Sequence, residues 1–207
     1  MRLFAAIFLL TATLAVAGCL STQLKATSDR PVETSMDVFV KASVLRHRTG
    51  SCCMFTFSAP YEMEAASPTL TSVFQSRISQ SGPFGPIRLV AKPVASDTEA
   101  LWYARKMGCS LALIPSLIYM MDGTGGMPTK LVVRLRILDA ATGQLLWDIK
   151  QSAWSEPGPD VDLTWNTVVG APAQRCLALA DCLAQRFAGY LTQLLARERK
   201  EEAEFQR

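Results

Sequence analysis

The sequence predicts an α/β (α+β) chain: one mixed β-sheet containing an antiparallel meander, packed by about three helices, the last of them long and carboxy-terminal. Three observations predict it. Between Gly108 and Ser155, three apolar strand candidates are punctuated by turn signals at Gly123 with Gly125-Gly126 and at Asp139 to Gly143. Leu131, Val133, Leu135 and Ile137 alternate with Arg134 and Arg136, and Leu145, Trp147 and Ile149 alternate with Asp148, Lys150 and Ser152. That period of two marks strands with one buried face, and short connections between them imply a meander. Upstream, two helix-start signals sit between shorter apolar runs. Downstream, Leu177, Ala180, Ala184, Phe187, Leu191 and Leu194 recur at spacings of three and four, an apolar helical seam.

In order, Leu20 to about Ser35 is polar and reads as a tether reaching roughly 50–60 Å when extended. Met36 to His47 alternates well enough for a strand, and Cys52 to Phe57 is a second, more fully apolar one. Ser67-Pro68 reads as N-cap and first helical residue, because proline lacks only an N–H that would be unpaired there. Leu70, Val73, Phe74 and Ile78 fall on one face of that helix, and Gly82-Pro83 ends it. Ile87 to Ala91 is a short strand. Ser96 with Glu99 forms a capping box, and Gly108 stands where a left-handed helix end is expected. Leu111 to Met121 is apolar apart from Ser116, as in a strand buried on both faces. Ser155 to Pro172 reads as a surface loop, in which Trp165 either folds back or meets a partner or membrane. The helix from Ala173 onward either docks on the sheet or self-associates through its seam. The order is β-β-α-β-α-β-β-β-α.

Met1-Arg2, an apolar run from Leu3 to Ala17, and Gly18-Cys19 compose a secretory leader too short to span a membrane comfortably. Val16-Ala17-Gly18-Cys19 resembles the bacterial lipobox. The resemblance implies cleavage before Cys19, diacylglycerol on its thiol and an acyl chain on the new amine, which together anchor a chain essentially permanently. Leu20, where an Asp would favour retention at the inner membrane, implies the outer membrane, facing the periplasm. The expected organisation is therefore a signal peptide over 1–18, lipidated Cys19 and tether over 19–35, and one periplasmic domain over 36–207. A net charge of +3 with no basic stripe excludes a charge-driven nucleic-acid binder.

Of six cysteines, five remain beside Cys19: Cys52, Cys53, Cys109, Cys176 and Cys182. Cys52 and Cys53 are adjacent and point to opposite faces of a strand, so at most one is expected to face the core. Cys176 and Cys182 lie on different helical faces and cannot bridge each other. The remaining readings are buried thiols, or one disulfide from Cys52 or Cys53 to Cys176 or Cys182. His47 is the only imidazole. It leaves no metal set and no nucleophile–base pair, and Gly123 to Gly126 lacks the Lys-Ser/Thr of a phosphate loop. No enzyme, metal or cofactor is expected beyond the covalent lipid.

Glu99 upstream of Gly108-Cys109, followed by the pattern of Val133, Leu135, Arg136, Asp139, Thr142, Gly143, Leu146 and Trp147, resembles a periplasmic α/β domain. That domain is shared by the curli-secretion, peptidoglycan-synthase-activator and exopolysaccharide-export ring lipoproteins and by the TolB amino-terminal domain. The resemblance implies a non-catalytic, membrane-anchored assembly or docking subunit of an envelope complex, with a protein partner or self-association. Asp122 to Thr129 is too short for the insertions of the curli pore, and the tether is short for the synthase-activator type. The lengths match the ring-forming export type. The alternative is a lipid- or small-molecule-binding auxiliary lipoprotein of a transport system.

Overall fold

A computed structural model describes residues 30–42, 50–123, 126–163 and 166–205. The elements are β1 (Glu33–Lys41), β2 (Cys52–Phe55), α1 (Ser67–Ser81), β3 (Ile87–Val90), α2 (Asp97–Lys106), β4 (Leu111–Met121), β5 (Thr129–Asp139), β6 (Leu145–Ser155), β7 (Val161–Leu163), β8 (Asn166–Val168) and α3 (Cys176–Phe205). Among the described residues, β7 and β8 pair only with each other, and the other six strands form one sheet in the order β1-β6-β5-β4-β2-β3. The anticipated α/β class, mixed sheet, meander and long last helix are all present.

The two ends of this sheet are built differently. β2, β3 and β4 are parallel, joined by crossovers through α1 and α2. β4, β5 and β6 form the antiparallel meander, and β1 closes the far side antiparallel to β6. The meander reflects its turn chemistry: Asp139 Oδ1 accepts from the Ala141 and Thr142 amides at 2.8 and 2.9 Å, and Gly143 takes φ 78°. At that φ a side chain would be strained, which fixes glycine there.

Alternation sorts the strand residues into two layers. Leu111, Leu113 and Leu117 of β4, Leu131 to Ile137 at every second position of β5, and Trp147, Ile149 and Ala153 of β6 pack with α1 and α3. α1 contributes Leu70, Phe74 and Ile78; α3 contributes Leu179, Ala180, Leu183, Ala184, Phe187 and Leu191. This two-helix face is the main core. The opposite face holds a smaller cluster in which Ala100 and Ala104 of α2 meet Cys53, Phe55, Ala112, Ile114 and Leu138.

Several local expectations are corrected. β1 begins at Glu33, inside the segment read as tether, because Glu33 to Met36 pair with Trp154 to Gln151 of β6 despite their polar composition. Ser67 does not cap α1: Ala66 holds that position without a side-chain bond, and the Ser67 side chain is buried inside the first turn. A 3-10 turn over Tyr61–Ala66 feeds the helix and displaces the cap. The Ser155 to Pro172 loop contains the β7–β8 hairpin, closed at its base where the Gly158 amide donates to the Ala171 carbonyl at 2.7 Å. A Cβ on Gly158 would stand 2.9 Å from the Ala171 nitrogen, so the crossing requires glycine. In α3 the seam from Ala180 to Leu194 is buried, but Leu177 is 54% exposed. Only the first half of β4 is buried on both faces, since α2 reaches no farther than Ile114.

Candidate interaction surface

α2 is ten residues long and covers only one end of its face of the sheet. Its seating follows from its sequence: the Glu99 amide donates to Ser96 Oγ at 3.2 Å, and Glu99 Oε2 accepts from the Ala95 amide at 3.0 Å. Glu99 thus reaches one residue beyond the N-cap amide. Beyond α2, register places Tyr119, Val132, Ser152 and Ser35 side by side, and then Ser116, Arg134, Lys150 and Asp37. No described helix covers these rows.

Two β-bulges raise the apolar side chains of this open half. The ladder skips Phe39 between Val38 and Val40, and it skips Ile118 between Leu117 and Tyr119. A bulged residue loses its cross-strand neighbour, and the strand twists more strongly there. Phe39 is 61% exposed, Ile118 43% and Tyr119 40%.

The floor between them is polar and internally paired. Arg134 grips the nearly buried Asp148 by two bonds of 2.8 and 2.6 Å, and its guanidinium stands 5.9 Å from the Phe39 ring centre. The hydrogen bond and charge of the Asp148 carboxylate raise the Arg134 pKa above its ordinary value, so the guanidinium stays charged. Arg136 reaches Asp97 at the start of α2 at 2.8 Å, and the Ser35 and Ser152 hydroxyls meet at 2.7 Å. This surface is mixed in charge, with large exposed apolar side chains around an internally paired polar floor.

Clefts among the described residues also lie elsewhere. A groove of about 580 Å³ runs between β1 and α3, with Met36, Cys182 and Tyr190 in its walls. A second of about 450 Å³ opens past the carboxyl ends of β2 and β3, between the starts of α1 and α2, and is lined mainly by Phe57, Ala59, Pro68, Pro93 and Val94. Crossovers leave the neighbouring strands on opposite faces there, the place where open α/β sheets form crevices.

The cysteines depart from expectation. Cys53 bridges Cys109, not Cys176 or Cys182, over a Cα–Cα distance of 5.7 Å. β2 and β4 are parallel neighbours, so residues near their two starts meet although 56 apart in sequence. Both Cys52 and Cys53 are buried, because each face of β2 has its own core. Desolvation pushes the Cys52 thiol up to about 12. Burial and the Asp122 carboxylate do the same for Cys176, up to about 12. Cys182 is free and half-buried beside Asp181, which joins α3 to Arg77 of α1 at 2.6 Å. Cys19, His47 and Trp165 lie outside the described residues. Sequence reading missed Phe39 and Ile118, whose exposure depends on the bulges, and Cys109 as a bridging partner. The position of Cys109 just before an apolar strand was its only signal.

No protein-family model matches the chain, and no curated protein matches it in sequence. Among solved structures, the PelC dodecamer from Paraburkholderia phytofirmans is similar at TM-score 0.57 and 14% identity, over 77% of this chain and 98% of that one. A substituted form of that dodecamer in another crystal form gives TM-score 0.50 and 14% identity over 78% and 98%. A lipoprotein from Neisseria meningitidis, GNA1162, gives 0.37 and 15% over 50% and 78%. At such identities the likeness is one of fold. No described helix is long and apolar enough to cross a membrane.

Proposed function

We propose that this chain is a non-catalytic bacterial lipoprotein, anchored through lipid on Cys19 to the periplasmic face of the outer membrane, that self-assembles as a scaffold of an export or wall-associated envelope complex. The observation that carries the reading is the half-open sheet face, where Phe39, Ile118 and Tyr119 stand 61, 43 and 40% exposed beside a fully packed core. Exposed aromatics over a pre-paired polar floor suit a protein surface. That a protein of the same fold is a dodecamer supports self-association. The anchor rests on the leader and on Val16-Ala17-Gly18-Cys19. In sedimentation of the full chain in mild detergent, a discrete oligomer is expected, and a monomer at all concentrations would sink the reading. Cys19→Ser should lose palmitate labelling and membrane association together.

A second reading, a lipid- or small-molecule carrier, is favoured by one observation. The apolar cleft past β2 and β3 has the buried Ser67 Oγ, which lacks a hydrogen-bond partner, in its wall. Native mass spectrometry of the purified chain tests it: a co-purifying adduct of fixed mass, lost when Ala59→Trp fills the cleft, would favour the carrier.

A further inference from the structure

We infer that consecutive copies of this chain join β1 of one to β3 of the next as antiparallel neighbours, with Asp37 opposite the neighbouring copy's Arg88. The inference rests on the assembly reading above and names its interface.

β1 and β3 are the two edges of the six-stranded sheet, and each is paired on one side only among the described residues. An open edge is a template for another strand. Their directions are compatible. β3, β2 and β4 run together, β5 reverses, β6 reverses again, and β1 reverses once more, so β1 runs opposite to β3. A copy moved sideways with its sheet faces preserved therefore presents β3 antiparallel to β1. No flip is needed, and the contact is head-to-tail, the kind that closes into a ring when the rotation permits.

Backbone geometry narrows the register. Arg186 of α3 donates to the Thr34 carbonyl at 2.8 Å, so that carbonyl points away from β6. By the two-residue period Met36 and Val38 also present their backbone groups outward. On β3, the Cys52 and Thr56 amides donate to the Pro86 and Val90 carbonyls at 3.0 and 3.2 Å. These residues face β2, which leaves Ile87 and Leu89 facing outward. Two outward-to-outward pairs then form at once: Met36 with Leu89, and Val38 with Ile87. A slip by two residues towards the start of β1 needs the Thr34 carbonyl, which Arg186 already occupies, and a slip towards its end sets the bulged Phe39 opposite Arg88.

Side chains agree with this register. Asp37 shares its face with Lys150, and Arg88 shares its face with Cys53, so both lie on the α2 side of the sheet. Opposed across the new ladder they form a non-hydrogen-bonded pair, the one with the closest side chains. Val38 and Leu89, 38 and 40% exposed in the single chain, lie on the opposite face, where Ile87 and Met36 stand across the new ladder from them and reduce that exposure. An acid meets a base on one side while apolar groups close on the other.

The test uses the full lipidated chain in mild detergent, carrying Cys182→Ser to remove the accessible thiol. Asp37→Arg and Arg88→Asp should each raise the concentration of half-dissociation by about tenfold or more, and the double reversal should restore the oligomer. Asp37→Cys with Arg88→Cys should give a ladder of covalent multimers on oxidation, whereas each single cysteine should not. Both positions are exposed and Arg88 donates to the Met107 carbonyl at 2.5 Å, so urea midpoints within about 1 kcal/mol of wild type will show that the variants fold. An oligomer indifferent to both reversals and free of cross-links overturns this interface and leaves self-assembly standing. Cross-linking by Asp37→Cys alone shows β1 meeting β1 and overturns it as well. A wild-type monomer overturns both the interface and the assembly reading.

Discussion

The two faces of the six-stranded sheet are drawn from the same strands yet meet different fates. On one, α1 and α3 cover the meander completely, and every second residue from Leu131 to Ile137 is fully buried. On the other, the ten residues of α2 cover one end, a disulfide staples that end, and the rest stands open under Phe39, Ile118 and Tyr119. The difference lies in the covering helix and not in the strands. A 30-residue helix spans the sheet, whereas a ten-residue helix is about 15 Å long. Apolar groups on the covered face hold the fold together; those on the open half are free to recognise something else.

Truncation on the covered face should have the largest effect. Phe187→Ala should cost about 3–5 kcal/mol in urea unfolding, because the cavity lies where α3 meets the sheet and cannot collapse. A loss near zero would mean the two-helix face is not the main core. The stapled end comes next. Replacing Cys53 and Cys109 by serine should cost about 2–4 kcal/mol, since the bridge closes a loop of 56 residues in the unfolded chain. Reductant should lower the wild-type midpoint by the same amount and leave the double variant unmoved.

Alkali probes the thiols of the covered side. The folded Cys52 thiol is held up to about 12 while the unfolded one titrates near its ordinary value of 9.0, so the native state keeps a proton that the unfolded state releases. The Cys52 contribution is therefore constant below pH 9 and falls above it, by about 1.4 kcal/mol per pH unit until the folded thiol ionises. Cys52→Ala should remove its share of that slope and leave the share of Cys176, whose thiol is raised in the same way. Ser96→Ala, which removes the α2 cap, should cost about 1 kcal/mol and loosen the shorter cover first, read as faster amide exchange in α2 than in α3. Smallest of all, Phe39→Ala should move the unfolding midpoint by less than about 0.5 kcal/mol while weakening any assembly. A large stability loss there would place Phe39 in the core.

Much of this architecture is local and was legible. The meander follows from alternation and from Asp139 and Gly143, the α2 start from Ser96 and Glu99, and the α3 seam from residues at spacings of three and four. Such signals are read within a few residues, because they concern one chain segment and the face it hides. Ser67 shows their limit: serine before proline has cap chemistry, but a preceding 3-10 turn took the position. The open surface was largely illegible. Phe39 and Ile118 are ordinary members of apolar strands until bulges lift them out of register.

From the sequence alone follow the order of the six sheet strands and three helices, the sheet class, the meander turns and the expectation of a lipid-bearing Cys19 ahead of the folded region, but not the β7–β8 hairpin. Only the tertiary structure decided that β2 lies between β3 and β4, that Cys53 therefore meets Cys109, and that β1 and β3 are the edges. It also decided which half of the second face stays uncovered. The reason is physical: local backbone preferences act over a few residues, whereas strand neighbours and helix coverage come from burying distant apolar surfaces together, a choice that no single segment contains.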